Sequence, residues 1–190
     1  MCLNQPVIKS KSHPFKVIYR QYFEYELSNT EHKSPSTLKI KKMQKQILLQ
    51  MVEQSRMDCF NILKDINTDN ADFRLTEQTA SVGFIYRHIG EATNLMAQFF
   101  GYKTDVEATT MGQTDTGKDY DLETSRRLVE EGYTTLEKLV NETSDDEWLE
   151  NIDTSWFGKL SRINLLAITL HHNAHHCGQI ASAIAKGKKY

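Results

Sequence analysis

Residues 171–180 read HHNAHHCGQI, four histidines within six positions followed by a cysteine, a glycine and a glutamine. Neutral imidazole is the commonest protein ligand for divalent transition metals, so the direction each ring takes decides what this stretch can do. On a helix turning about 100° per residue, His172 and His176 fall within about 20° of the direction of Leu165 and Ala183, with Ile168 and Ile180 alongside. His171 and His175 point about 100° away, toward Asn164, Gly178 and Ser182, and read as solvated. Two imidazoles four residues apart can share one ion, but two ligands hold it weakly and a third must come from elsewhere. The other histidines are His13, His32 and His88. His88, in FIYRHIGEA, sits three residues after Ile85 and four before Ala92, at the edge of an apolar stripe. Taken alone, it is more simply a hydrogen-bonded interface histidine than a ligand, and a histidine near a helix end can answer the helix dipole.

Positioning such residues requires helices, and the chain from Met43 onward supplies the pattern. Leu48, Val52, Ser55, Cys59, Ile62 and Ile66 recur at spacings of three and four, which predicts a first helix. Thr79 or Ser81 can cap a second, whose stripe is Val82, Ile85, Ile89, Ala92, Met96 and Phe99 and which Gly101 stops. A third, over about 119–141, repeats Leu122, Val129 and Leu136 and adds Leu139. Ser161 is the expected N-cap of the fourth, which carries the histidines and ends at Gly187. No strand is expected between them. The polar connection GYKTDVEATTMGQTDTGK is longer than antiparallel neighbours need and suggests a crossover. These elements predict an all-α four-helix bundle, an architecture that builds metal sites from side chains on facing helices. Phe84, Phe99, Phe100, Trp148 and Trp156 read as core or interface.

Charge is unevenly spread. Residues 1–42 hold eight Lys/Arg against three Asp/Glu, whereas 43–190 hold fifteen against twenty-two. An acidic globule is a poor electrostatic partner for nucleic acid, so none is expected. All three prolines precede Met43, and residues 1–42 read as a basic N-terminal extension with at most one short element around FKVIYRQYFEYEL; residues 43–190 form the expected domain. No apolar run is long enough for a signal peptide or a bilayer crossing, which leads to an expected cytoplasmic location without membrane contact. Three widely spaced cysteines, Cys2, Cys59 and Cys177, with no Cys-x-x-Cys pair, fit reduced thiols.

A histidine within the second helix, then a last helix with His-x-x-x-His followed closely by Gly-Gln, resembles the DinB family of DNA-damage-inducible four-helix-bundle proteins. The resemblance spans about residues 43–187. The family's usual ending is His-x-x-His-His-Arg-Gly-Gln; here residues 172–179 read HNAHHCGQ, with Cys177 where arginine is common. Carried over by position, the resemblance implies His88, His172 and His176 as ligands of a divalent metal such as zinc, nickel or iron, with open positions. It also implies an up-up-down-down bundle with a long crossover, and homodimers. Gln179 lies near the ligand face, where it can support a ligand, cap or pack.

Three neutral histidines leave an ion its full charge and an exchangeable position, able to lower the pKa of a water or thiol. Family members of known activity include metal-dependent enzymes that use small cellular thiols. The resemblance therefore implies transfer of a low-molecular-weight thiol to an electrophilic small molecule, with metal-assisted hydrolysis as the alternative. A non-catalytic, stress-related metal-binding protein acting through a partner is the reading from another class. Cys177 is directed about 100° beyond the ligand face and reads as a small buried side chain rather than a nucleophile.

Overall fold

The computed structural model describes residues 36–190, with side chains from Gln44 onward. The expectations for His13, His32 and the short element around FKVIYRQYFEYEL lie outside these residues. Helix α1 spans Ser36–Leu63, so residues 36–42, expected within the extension, are helical. Their sequence, STLKIKK, follows the last proline and contains no helix breaker, but it is too short and too basic to show an apolar stripe of its own. The other helices are α2 (Val82–Phe99), α3 (Leu122–Glu142) and α4 (Arg162–Lys186). Together they make a four-helix bundle.

Capping follows elementary chemistry. The hydroxyls of Ser81 and Ser161 accept from the amides of Phe84 and Asn164, and Asp121 accepts from Thr124, at the starts of α2, α4 and α3. Gly101, at φ +98, ends the run that closes α2. The predicted stripes are the core: Val52, Cys59, Ile66, Val82, Ile85, Ile89, Ala92, Met96, Val129, Leu136, Leu139, Leu165 and Ile180 are all buried. Helix α2 packs most closely on α3 and also meets α4. The α2–α3 approach depends on glycine: a Cβ on Gly90 would lie 2.6 Å from Leu128 Cβ, and one on Gly132 would lie 2.7 Å from Thr93 Cγ2.

One expectation fails. The stretch between α3 and α4 holds a 3-10 turn, Glu147–Leu149, and an antiparallel hairpin of β1 (Asn151–Thr154) and β2 (Gly158–Ser161). Strands of four residues are too short to display an alternating pattern, and this pair is set by its turn. Gly158 takes φ +72, while Thr154 accepts from the Phe157 amide and donates to the Gly158 carbonyl, both at 2.9 Å. Trp148 is buried, whereas Trp156 in the hairpin turn is 41% exposed and lies edge-on to Phe99. Among the described residues no helix is long and apolar enough to cross a membrane.

Candidate metal centre

The crossover from Gly101 to Asp121 is irregular but tied down. Asp115 accepts from the amide and hydroxyl of Ser81 at 2.8 and 2.7 Å and pairs with Arg74 at 2.9 Å. Burial raises the Asp115 pKa, but the bonds from Ser81 and Gly117 and the Arg74 charge together hold it below the ordinary 3.8. This clamp fixes the crossover beside the start of α2, and farther back along the loop Thr109 and Thr110 reach Glu91 on that helix.

Helix α2 presents His88, and α4 presents His172 and His176. One ligand nitrogen from each lies within 4.8 Å of the other two. The Nε2 atoms of His88 and His172 are 3.2 Å apart. Two nitrogens each about 2.0–2.1 Å from one ion at a tetrahedral angle would be about 3.3 Å apart, so the spacing fits a shared ion. His171 and His175 are exposed and neither contributes a ligand nitrogen to this cluster, although the His175 ring lies edge-on to His176 with centroids 5.2 Å apart.

Each ring has an oxygen at its other nitrogen. Gln179 Oε1 lies 2.7 Å from His176 Nδ1, Asn173 Oδ1 3.4 Å from His172 Nδ1, and Thr110 Oγ1 3.2 Å from His88 Nδ1. The proton inventory then fixes the tautomers. Asn173 turns its Nδ2 toward the Tyr133 oxygen, which leaves Oδ1 facing His172, and an amide oxygen only accepts. Thr110 gives its single hydroxyl proton to Glu91 Oε2 at 2.6 Å, leaving only lone pairs for His88. All three Nδ1 atoms are therefore donors, and the Nε2 lone pairs face the common centre. Burial pushes the His88 pKa down to about 4, helped by the charge of His176. Burial and both neighbouring imidazoles push His172 down to about 3, and burial also lowers His176. The set is neutral at pH 7, the protonation state in which imidazole binds metal.

The structure thus brings together the three sequence-predicted histidines and sets Gln179 against one of them. Sequence reasoning did not find Glu91, Thr110 or Asn173. Glu91 is 1% exposed and accepts from the Thr110 amide at 2.8 Å as well as from both threonine hydroxyls. Its signal was available: an acid three residues after His88, inside a stripe of buried apolar residues. Asn173 likewise falls between Leu170 and Cys177 on a buried face. A cleft of about 480 Å³ lined by Arg87, Glu91, Thr109, Thr124 and Glu131 touches the network at Glu91, but none of the three histidines lines it.

Comparison with known proteins bears on this geometry. The family model of the DinB superfamily matches residues 51–180. Among solved structures, YfiT from Bacillus subtilis, described as "a probable metal-dependent hydrolase with an unusual four-helix bundle topology", superposes with a TM-score of 0.59 at 15% identity, covering 84% of this chain and 93% of that one. TT2238, described as a four-helix bundle protein, gives 0.51 at 17% identity, covering 70% and 95%. No curated protein matches the chain.

Proposed function

Because the chain belongs to the DinB superfamily, we propose that it is a divalent-metal-dependent enzyme in which His88, His172 and His176 hold the ion and a small cellular thiol is transferred to an electrophilic small molecule. The observation that carries this reading is the approach of the His88 and His172 Nε2 atoms to 3.2 Å, the spacing two nitrogens take around one shared cation. Once bound by three neutral nitrogens, zinc, nickel or iron supplies a Lewis acid able to ionise a thiol or a water near neutral pH. Thr110, Asn173 and Gln179 keep the rings oriented by holding the Nδ1 protons.

A thiol as the reacting group is supported by the family resemblance, and the surroundings of the ligands speak only against a carboxylate-assisted route to hydrolysis. Base-assisted hydrolysis uses a free carboxylate to take a proton from water. Glu91, the carboxylate linked to His88, has its oxygens engaged by Thr109 and Thr110. A thiol, with a solution pKa of about 8.5, can lose its proton to solvent without such help. Hydrolysis is the second reading, favoured by the likeness to YfiT and its printed description.

Native mass spectrometry with elemental analysis identifies the metal; the loaded protein is then assayed near neutral pH with several low-molecular-weight thiols and a chromogenic electrophile. The expected result is a rate gain over metal-free protein that His176→Ala abolishes and Cys177→Ser largely keeps. Ester or amide hydrolysis without thiol transfer would replace this reading by the second. Neither activity would leave a metal-binding protein that acts through a partner.

A further inference from the structure

A sulfur-containing cluster joins α1, α3 and α4 and meets the histidine centre through Asn173. Cys59 and Cys177 are free thiols, 1% and 2% exposed, with their Sγ atoms 2.9 Å apart. The Cys177 thiol donates to Cys59 Sγ, and so does the Tyr133 hydroxyl at 3.1 Å. Tyr133 is itself held by Ser55 at 2.9 Å and by the Asn173 amide at 3.4 Å. Cys59 therefore receives two hydrogen bonds, an arrangement that favours the thiolate over the thiol. Those bonds, that from Cys177 foremost, hold the Cys59 pKa below its ordinary value against the opposing effects of burial and of Asp58.

We propose that Cys59 and Cys177 are a reversible dithiol–disulfide pair that reacts with hydrogen peroxide, Cys59 attacking first and Cys177 resolving. A bonded pair lies about 2.05 Å apart, so the sulfurs close by less than about 1 Å. Burial narrows the oxidant: sulfurs this enclosed are closed to a tripeptide disulfide, which leaves a water-sized peroxide as the reagent of the proposal. In the first step the Cys59 sulfur bonds to one peroxide oxygen as the O–O bond breaks. The hydroxide released takes up the proton that Cys59 gave up and leaves as water. Cys59 is now a sulfenic acid and the peroxide is reduced. In the second step the Cys177 sulfur bonds to the Cys59 sulfur, the S–O bond breaks, and hydroxide departs as a second water with the Cys177 thiol proton. The sum is two thiols and one peroxide giving one disulfide and two waters. The two steps draw no reactant from the histidine centre.

The test uses the full chain carrying Cys2→Ser, which removes the third thiol. Protein exposed to modest peroxide is quenched, denatured in alkylating reagent and mapped by peptide mass. The expected product is a Cys59–Cys177 linked peptide pair, lighter by about 2 Da than the two free peptides together and reversed by dithiothreitol. In Cys177→Ala, dimedone added as the protein is denatured should trap Cys59 as sulfenic acid; in Cys59→Ala, Cys177 should stay a free thiol. Full recovery of both alkylated cysteines, at a peroxide dose that oxidises them in the unfolded chain, would overturn the proposal. So would over-oxidation of Cys59 without a link. Oxidised glutathione should leave both thiols free in the folded protein, and rapid glutathione addition at Cys59 would defeat the size argument. The linkage map needs no substitution in the core, so it decides the matter even if either alanine variant fails to fold.

Discussion

Nε2 of His88 on α2 faces Nε2 of His172 on α4 at 3.2 Å, with each ring's Nδ1 proton directed to an oxygen behind it. Two acceptors at that distance repel unless something positive lies between them. Hydrogen bonds in the loop and along α4 hold the three rings from behind. A prearranged site of this kind should bind metal without a large change of fold.

Alanine at His88, His172 or His176 should therefore weaken binding of cobalt, followed by its visible spectrum, by more than the roughly 10–100-fold typical of an outer hydrogen-bond partner. Alanine at His171 or His175, both exposed, should leave it unchanged. Equal loss from His171→Ala would contradict the ligand set.

Glu91→Gln tests the chain that runs through Thr110. The amide keeps the shape of the side chain but offers only one acceptor oxygen, so Thr110 can turn its hydroxyl proton toward His88 Nδ1. Cobalt affinity should fall about 10–100-fold, and nitrogen NMR of the metal-free protein should show His88 losing its Nδ1-protonated tautomer. Unchanged affinity and tautomer would show that the carboxylate serves packing alone.

The metal-free protein should lose stability as pH falls from about 6.5, the ordinary histidine value, toward 4. Folding holds His88 near 4 and His172 near 3, chiefly by burial, so in this window the unfolded chain binds protons that the folded chain refuses. Stability thus rises with pH there, and by pH 4 His88 alone accounts for a loss on the order of 3 kcal/mol. Asp115 acts in the same direction, but only below its ordinary 3.8. Urea midpoints at about pH 7 and about pH 4.5 check this, and His88→Gln should flatten the slope.

Gly90→Ala should cost about 1–3 kcal/mol even though alanine is the better helix former, because its Cβ meets Leu128 Cβ at 2.6 Å and the Val129 amide at 3.1 Å. Gly178→Ala, in α4 with nothing within 4 Å, should stabilise by about 0.5–1 kcal/mol. Thermal melts of the two variants should shift in opposite directions.

The helices and the three histidines were legible because both rest on one periodicity, which assigns a direction to every residue of a long amphipathic segment. The same rule separated His172 and His176 from His171 and His175. It could not reach Thr110, whose place depends on how Asp115, five residues later, clamps an aperiodic loop to Ser81 and Arg74. Nor could it pair Cys59 with Cys177, 118 residues apart, since each was legible only as a small buried side chain on its own helix. The β1–β2 hairpin was hidden for a different reason: its strands owe their register to a turn and two bonds of Thr154 rather than to alternation.

The Thr110 amide is a backbone donor in a loop, yet it is enclosed and bound to a carboxylate of the core helix α2. Hydrogen exchange there requires the crossover to lift off as a unit, because releasing Thr110 also strips the hydroxyl bonds from Glu91 and the oxygen from His88. That one amide therefore clocks the release of His88 from behind, and its protection against deuterium measures how often that ring is let go.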